Sequence, residues 1–286
     1  MPTASKEIKI NTKVKIGGKT PLFLIGGPCV IESERHALFM AGEIQRICAE
    51  LRIPFIFKAS YDKANRSSIK SYRGPGLERG LKILKRVKEE IGVPVTSDVH
   101  EAWQVAKAAE VLDIIQIPAL LCRQTDLIIE AAKTMKVLNL KKGQFLSPLE
   151  MRNVVDKALS AGNDKLILTE RGSFFGYGNL VFDIRSIPIM KALGFPVVID
   201  ASHSVQRPGG GGDVSGGDAE LIPYLAKAGV SVGADGVFVE IHDSPEKALS
   251  DRSNSLPLNK LNGFVRVLLR VKKATEEKGG RRDEKK

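Results

Sequence analysis

The sequence predicts an α/β protein, a (β/α)₈ TIM barrel with a short N-terminal β-hairpin. Eight short apolar runs rich in Ile, Val, Leu and Phe alternate with eight longer amphipathic segments, and this alternation is typical of βαβ units that build a parallel sheet. The length of 286 residues suits a single barrel, which typically takes about 250 residues. A reactive or charged residue also follows each apolar run, as expected where barrel strands open onto a common face.

These patterns assign the strands and helices along the chain. The predicted strands cover residues 22–30, 54–59, 94–99, 114–119, 137–141, 165–169, 196–200 and 236–241. The predicted helices cover residues 33–50, 76–91, 101–110, 125–135, 148–160, 184–193, 218–228 and 258–273. Ser33 is the expected N-cap of the first helix, since its hydroxyl can accept a hydrogen bond from the first turn. Eight strands, each followed by a helix, favour a closed barrel over an open, doubly wound sheet.

The two ends of the chain are predicted to lie outside the barrel, which covers residues 21–273. Residues 8–20 alternate apolar and polar side chains and reach Gly17-Gly18, a pattern typical of a hairpin that would cap the bottom of the barrel. Residues 274–286 are rich in Lys and Arg and are expected to form a disordered basic tail. The whole chain is therefore interpreted as one domain.

Composition narrows the class of protein. No apolar run approaches the roughly 20 residues needed to cross a bilayer, and the N-terminus lacks the apolar segment of a signal peptide, so a cytoplasmic location is expected. Cys29, Cys48 and Cys122 lack C-x-x-C spacing, which argues against a disulfide framework and a structural zinc knot. The formal charge of +11 indicates anionic partners, either nucleic acid or small phosphorylated and carboxylated substrates.

Reactive or charged residues at the strand ends are the first functional signal. They are Cys29, Lys58, Asp98, Gln116, Lys141, Arg171, His203 and Glu240. Because the C-terminal ends of barrel strands converge, these side chains are expected to surround one cavity. The alternative is that polar residues simply mark where each strand reaches solvent.

Cations predominate at the ends of the second, fifth and sixth strands: Lys58, Lys63, Arg66, Lys141 and Arg171. Like charges that face one mouth repel each other unless anions bind there, so the set implies multiply anionic substrates. Neither a G-x-x-x-x-G-K-[ST] loop nor a G-x-G-x-x-G turn is present after the first strand, which disfavours nucleotide binding of those two kinds. The glycine-rich segment 208–217 is either a loop that closes over substrate or a plain flexible loop.

Four residues that can bind a metal lie at or beyond the C-terminal ends of neighbouring predicted strands. They are Cys29, His203, Glu240 and Asp251. One thiolate, one imidazole and two carboxylates would make a mixed site suited to zinc, iron or manganese. Each residue also has a structural interpretation, a small buried side chain for the cysteine and a hydrogen-bonded ring for the histidine. The residue types alone leave both interpretations open.

Ten segments resemble the 3-deoxy-D-manno-octulosonate 8-phosphate synthases, and the resemblance spans roughly residues 8–270. They are G-G-P-C-V-I-E-S (26–33), F-K-A-S-Y-D-K-A-N-R-S-S (57–68), Y-R-G-P-G-L (72–77), T-S-D-V-H (96–100), Q-I-P-A (116–119), R-Q-T-D-L (123–127), K-K-G-Q-F-L-S-P (141–148), E-R-G-S-F-F-G-Y (170–177), D-A-S-H-S-V-Q (200–206) and H-D-S-P-E-K-A-L-S-D (242–251). The K-A-N-R-S motif is the specific part, because the similar heptulosonate 7-phosphate synthases carry K-P-R-T there.

The resemblance implies condensation of phosphoenolpyruvate with D-arabinose 5-phosphate and water, with release of inorganic phosphate, in the biosynthesis of the lipopolysaccharide sugar. The residues it implies for phosphoenolpyruvate are Lys58, Ser60, Lys63, Gln116, Lys141 and Arg171. Those it implies for the pentose phosphate are Asn65, Arg66 and Ser67, while Asp98 would bind a sugar hydroxyl. We expect His203, Asp98 and Lys63 to be the catalytic residues.

The resemblance also implies a cofactor and an assembly. Members with cysteine at the position of Cys29 use a divalent metal and members with asparagine do not, so Cys29, His203, Glu240 and Asp251 are the expected ligands of zinc, iron or manganese. An arginine that matches Arg123 reaches into the neighbouring subunit's site in that family, which implies a homotetramer.

Two other functions compete with this interpretation. A heptulosonate synthase would use erythrose 4-phosphate in place of arabinose 5-phosphate. A basic nucleic-acid-binding protein would also explain the charge, but the cations lie at strand ends and the aromatic content is 6%, which gives few platforms for base stacking. No nucleic acid or membrane partner is therefore expected.

Overall fold

The computed structural model describes residues 5–66, 68–175, 177–211 and 214–280 of the chain, and it contains the predicted closed barrel. Its strands are β1 (Phe23–Gly27), β2 (Phe55–Lys58), β3 (Val95–Asp98), β4 (Ile114–Ile117), β5 (Val137–Lys141), β6 (Leu166–Glu170), β7 (Val197–Asp200) and β8 (Gly236–His242). Each strand pairs in parallel with the next. The barrel closes where β8 pairs with β1, from Gly236 opposite Phe23 to Glu240 opposite Gly27.

The helices between the strands also agree with the prediction. They are α1 (Glu34–Glu50), α2 (Leu77–Ile91), α3 (Ala102–Val111), α4 (Thr125–Lys133), α5 (Met151–Ser160), α6 (Ser186–Lys191), α7 (Ile222–Ser231) and α8 (Leu261–Gly280). Ser33 caps α1 as expected, because its hydroxyl oxygen accepts a hydrogen bond from the backbone N–H of His36 at 3.1 Å. Short 3₁₀ turns precede α5, α7 and α8 and account for the later starts of these helices.

Two apolar cores hold the barrel together. The larger core lies between the strands and the surrounding helices and includes Met40, Ile44 and Leu84. The smaller core fills the barrel interior from below with side chains such as Phe23 and Phe238, against which Ile8 and Ile16 of the N-terminal hairpin pack. Burial on this scale, at about 25 cal/mol per Å² of apolar surface, is the main source of stability.

The predicted hairpin is present and caps the barrel, and its turn precedes Gly17-Gly18. Ile8–Lys9 pairs antiparallel with Lys15–Ile16, so the turn lies between those two strands. The side-chain oxygen of Asn11 accepts hydrogen bonds from the backbone N–H groups of Lys13 at 2.9 Å and Val14 at 2.8 Å. A side-chain oxygen of this kind closes a turn without glycine.

Two other segments differ from the simplest prediction. Helix α8 continues to Gly280, so residues 274–280 of the expected disordered tail are helical, while residues 281–286 lie outside the described chain. The glycine-rich segment forms an antiparallel pair of strands, Gln206–Gly211 and Val214–Gly217. Among the described residues, no helix is long and apolar enough to cross a membrane.

Candidate active site and metal centre

The C-terminal ends of the barrel strands open into two adjoining cavities. The larger has a volume of about 660 Å³ and the smaller about 320 Å³. Both are lined by Lys63, Asn65, Arg171 and His203, so they form one continuous site. The geometry confirms that the strand ends converge, and it places four predicted site residues between the two cavities.

The smaller cavity is lined by buried charged and polar side chains. Its lining includes Lys58, Asp98, Gln116 and Lys141, and all four side chains are buried. Lys58 Nζ donates to Glu240 Oε1 at 2.8 Å, and Lys141 Nζ donates to Asp200 Oδ2 at 2.5 Å. The cations are therefore balanced by carboxylates rather than left to repel one another.

Burial lowers the pKa of two cationic side chains in the site. It lowers the pKa of Lys141, with only partial opposition from the Asp200 carboxylate, and it lowers the pKa of Arg171 in the same way. Lys141 Nζ also lies 3.7 Å from the centre of the Phe238 ring, which attracts a cation. An anion in this cavity would favour the charged form of both groups.

Asp98 is held as an anion at the side of the smaller cavity. Its Oδ1 accepts a hydrogen bond from Ser60 Oγ at 2.5 Å, and its Oδ2 lies 3.0 Å from His100 Nε2. Burial alone would raise the pKa of this carboxyl, but the hydrogen bond with His100 and the charge of Lys63 hold it well below its usual value. Ser60 is buried behind Asp98 and does not itself line either cavity.

The larger cavity is bounded by the stretch after β2. Asn65 and Arg66 line it together with Ser68 and Lys70. Arg66 Nε donates to the carbonyl oxygen of Tyr72 at 3.0 Å, whereas its Nη2 is buried and has no partner among the described residues. Ser67, predicted to bind the pentose phosphate, lies outside the described residues. The guanidinium of Arg66 is thus fixed at one end and available to an anion at the other.

The four predicted metal ligands come together at the junction of β1, β7 and β8. Ligand atoms of Cys29, Glu240 and Asp251 lie within 4.8 Å of one another. His203 joins them, because its Nε2 lies 3.6 Å from Glu240 Oε1 and 3.7 Å from Asp251 Oδ2. Atoms that share one metal at about 2.0–2.3 Å lie at comparable separations.

Neighbouring groups orient these ligands. Asp200 Oδ2 lies 2.8 Å from His203 Nδ1, which fixes the proton on that nitrogen and leaves the Nε2 lone pair toward the carboxylates. Gln206 Nε2 donates to Asp251 Oδ1 at 3.1 Å. Glu240 Oε2 is buried without a partner among the described residues. An unsatisfied carboxylate oxygen inside a cysteine–histidine–carboxylate set fits a bound transition metal.

The protonation states also suit a cation. Burial, reinforced by the nearby Asp251 carboxylate, raises the pKa of the Cys29 thiol to about 12. Burial likewise lowers the pKa of His203, so its ring is neutral near pH 7 despite Asp200. The thiol therefore keeps its proton until a positive charge displaces it, as metal binding to a cysteine requires.

Two residues of the site, Gln206 and Gln144, were not predicted from the sequence. Gln206 accepts a hydrogen bond from Arg171 Nη2 at 2.7 Å as well as donating to Asp251. Gln144 lines both cavities. The motifs K-K-G-Q-F and D-A-S-H-S-V-Q contain both glutamines, but their amide character alone gave no reason to select them.

Arg123, like Ser60, is a predicted substrate residue that does not belong to the described lining of either cavity. Its side chain is exposed, and its backbone carbonyl accepts a hydrogen bond from Lys157 Nζ at 2.8 Å. The predicted role of Arg123 is in a neighbouring subunit, so its exposure leaves that prediction open.

Comparison with known proteins identifies the family. Curated relatives named 2-dehydro-3-deoxyphosphooctonate aldolase include one from Geotalea uraniireducens, 59% identical over 92% of this chain and 96% of its own. Others are from Geobacter sulfurreducens, 56% identical over 92% and 97%, and from Cyanothece sp., 56% identical over 94% and 98%. These names confirm the resemblance seen in the motifs. The DAHP synthetase I family matches residues 5–277, and the chain belongs to this family.

Proposed function

We propose that this chain condenses phosphoenolpyruvate with D-arabinose 5-phosphate and water to give 3-deoxy-D-manno-octulosonate 8-phosphate and inorganic phosphate, a step toward the lipopolysaccharide sugar. The observation that carries the proposal is the identity of 56–59% to aldolases of that product over nearly the whole chain. The cavity supports it, because two anionic substrates need a cationic site with room for both. The family name alone does not favour the heptulosonate product.

The two cavities divide the substrates. We assign phosphoenolpyruvate to the smaller cavity, where its phosphate and carboxylate would meet Lys58, Lys63, Lys141 and Arg171 beside Gln116. The pentose phosphate belongs in the larger cavity beside Asn65 and Arg66, with Ser67 as a further proposed contact. Lys63 and Arg171 line both cavities, so the reacting carbons would meet between them.

The reaction forms a bond between C3 of the enol and the aldehyde carbon of the sugar. The aldehyde oxygen takes up a proton and becomes a hydroxyl, while positive charge develops at C2. Water adds to C2 and gives up a proton, and the bond between C2 and the phosphate oxygen then breaks, which leaves a ketone at C2 and inorganic phosphate. The buried cations hold both anions in line for attack, which supplies proximity and orientation. Asp98, ionised in its hydrogen-bonded setting, would accept a hydrogen bond from a sugar hydroxyl and favour charge at C2.

We propose that Cys29, His203, Glu240 and Asp251 hold a divalent zinc, iron or manganese ion. Such an ion supplies Lewis-acid polarisation of an oxygen or lowers the pKa of a water. The chain's contribution is the orientation of its ligands by Asp200 and Gln206. His203 is therefore proposed as a ligand whose Nδ1 proton is held by Asp200, with Asp98 and Lys63 as groups that contact substrate.

The proposal also covers the assembly, the domain organisation and the location of the protein. Exposure of Arg123 supports its reaching a neighbouring subunit, and so a homotetramer. The described elements pack around a single barrel, which supports one domain. The three buried free thiols and the two phosphorylated metabolites support a cytoplasmic location.

Phosphate release with each aldose phosphate tests the activity. We expect release with arabinose 5-phosphate and phosphoenolpyruvate, and at most slow release with erythrose 4-phosphate. The reverse preference would assign the chain to the heptulosonate reaction instead. Salt-dependent binding to a random DNA duplex without phosphate release would support a nucleic-acid-binding protein.

A further inference from the structure

A second group of metal-binding side chains lies outside the two cavities. One ligand atom from each of Glu32, His36 and His242 lies within 4.8 Å of the other two. Glu32 precedes α1, His36 is in its first turn, and His242 ends β8. The group therefore joins the loop after the first barrel strand to the end of the last one.

The second nitrogen of each ring turns toward the same carboxylate. Asp243 Oδ1 lies 3.0 Å from His36 Nε2 and 3.0 Å from His242 Nδ1. The two rings lie close together, with their centres 4.7 Å apart. A carboxylate that receives the outer N–H of a histidine is the usual support behind a metal-binding imidazole, because it fixes the ring and leaves the inner nitrogen unprotonated.

The ring nitrogens that do not face Asp243 are His242 Nε2 and His36 Nδ1. His242 Nε2 lies 3.3 Å from Glu32 Oε1. His36 Nδ1 is buried and has no hydrogen-bond partner among the described residues. A buried ring nitrogen without a partner is unfavourable in a plain hydrogen-bond network, and a bound cation would satisfy it.

The carboxylate of Glu32 is held in place by the loop that follows β8. Its Oε1 accepts a hydrogen bond from the backbone N–H of Leu249 at 2.8 Å. A backbone donor of this kind orients a carboxylate that binds a metal.

We propose that Glu32, His36 and His242 form a second site for a divalent transition metal, with Asp243 as the shared acceptor behind both histidines. Two imidazoles and one carboxylate, with a fourth position for water, are a ligand set that suits Zn²⁺. The nitrogen–oxygen separation of 3.3 Å already matches two atoms bound about 2.0–2.2 Å from one ion. His242 Nδ1 accepts a hydrogen bond from the backbone N–H of Ser244 at 3.0 Å, so without a metal the ring proton is on Nε2, which faces Glu32. Metal binding at Nε2 would move that proton to Nδ1, which would then donate to Asp243 instead of accepting from Ser244.

The proposed second site would stabilise the two loops that carry ligands of the first metal centre. Glu32 follows Cys29 by three positions, and the Leu249 N–H that it holds precedes Asp251 by two. A metal at Glu32 would therefore fix both loops that carry those ligands. No reaction is assigned to it.

Cobalt titration separates the two sites. Cobalt bound to a thiolate gives a charge-transfer band in the near ultraviolet, so Co²⁺ at Cys29 is visible there, whereas the second site has no sulfur ligand. We expect wild-type chain stripped with chelator to take up two equivalents of Co²⁺ or Zn²⁺. His36→Gln should take up one and keep the thiolate band, and Cys29→Ala should lose the band and keep the equivalent that depends on His36.

Two further variants distinguish loss of a metal ligand from misfolding of the variant protein. Asp243→Asn changes an exposed side chain and is expected to weaken the second equivalent by about 10- to 100-fold, as loss of a supporting carboxylate does. Glu43→Gln, farther along α1 and paired with Arg46, is the matched control and should leave both equivalents unchanged. Stoichiometry is measured by equilibrium dialysis with elemental analysis.

The outcomes are distinct. One equivalent that depends on His36, without a thiolate band, would support the second site and contradict the first. Metal uptake that is unchanged in His36→Gln and Asp243→Asn would overturn the second site, leaving Glu32, His36 and His242 as a hydrogen-bonded link between two loops.

Discussion

Removal of the Arg66 side chain should separate the binding of the two substrates. Arg66 lines the larger cavity, with its Nε bound to the Tyr72 carbonyl at 3.0 Å and its Nη2 buried without a partner among the described residues. The free end of the guanidinium is therefore the part available to the sugar phosphate. In Arg66→Ala that phosphate would lose a charge-assisted hydrogen bond and gain nothing in its place.

The size of the effect follows from that contact. A hydrogen bond to a charged group contributes about 1.5–3 kcal/mol, and each 1.4 kcal/mol corresponds to about a factor of ten. We therefore expect kcat/KM for arabinose 5-phosphate to fall about 10- to 150-fold. The KM for phosphoenolpyruvate, which is assigned to the other cavity, should change by less than about threefold.

Steady-state phosphate release with one substrate varied and the other saturating measures both values. Arg73→Ala is the matched control, since Arg73 is half exposed and pairs with Asp62 at 2.5 Å instead of lining a cavity. It should leave both constants near wild type. Equal losses for the two substrates in Arg66→Ala would refute the division of the site, and no loss for either would remove Arg66 from it.

Four further results are expected. Prolonged chelation should abolish phosphate release, and added divalent metal should restore it. Asp200→Asn should weaken metal affinity about 10- to 100-fold in a chelator competition, because its carboxylate orients His203. Gly229→Ala should lower the free energy of unfolding in urea by about 1–3 kcal/mol, since the new Cβ would lie 2.7 Å from Ile199 Cγ2. Asp98 has a depressed pKa, so its stabilisation is present above about pH 4 and lost as the pH falls; Asp98→Asn should flatten that acid dependence of the urea midpoint.

Each of these has a result that contradicts it. Full activity in rigorously metal-free protein would remove the metal from the reaction. Gly42→Ala is the control for the packing prediction, because its Cβ would meet Ile91 Cδ1 at an ordinary 3.7 Å and should be tolerated. Equal stability of the two glycine variants, parallel acid curves for Asp98→Asn and wild type, or unchanged metal affinity in Asp200→Asn would each oppose its own prediction.

The barrel could be predicted because its pattern is local. Apolar runs, amphipathic segments and the N-cap at Ser33 are read from neighbouring residues, and barrel geometry then brings the strand ends together. This is why Lys58, Lys141 and Glu240, far apart in the sequence, were expected around one cavity. The N-terminal hairpin was predicted from its alternating pattern, whereas the role of the Asn11 side chain in closing its turn was not.

The contacts between distant side chains could not be predicted in the same way. Asp200 stands three positions before His203 in the sequence, but its contacts with both His203 and Lys141 are seen only in the structure. Gln206 joins Arg171, 35 positions before it in the sequence, to Asp251, 45 positions after it. Nothing in residue type or spacing gives such distances, since they depend on how the loops above the barrel settle against one another.

The pairing of β1 with β8 decides when the active site can exist. Cys29 lies on one side of this seam and Glu240 on the other, and side chains that meet across it, such as Glu32 and His242, are 210 positions apart. Contacts this remote in sequence form late, because a long loop must close before they stabilise anything. During synthesis the N-terminal strands emerge first, so the nascent chain carries the Cys29 thiol without its partners until β8 has been made. The metal binding and the catalysis proposed above would therefore require the closed barrel, and their appearance would report that the last strand has docked.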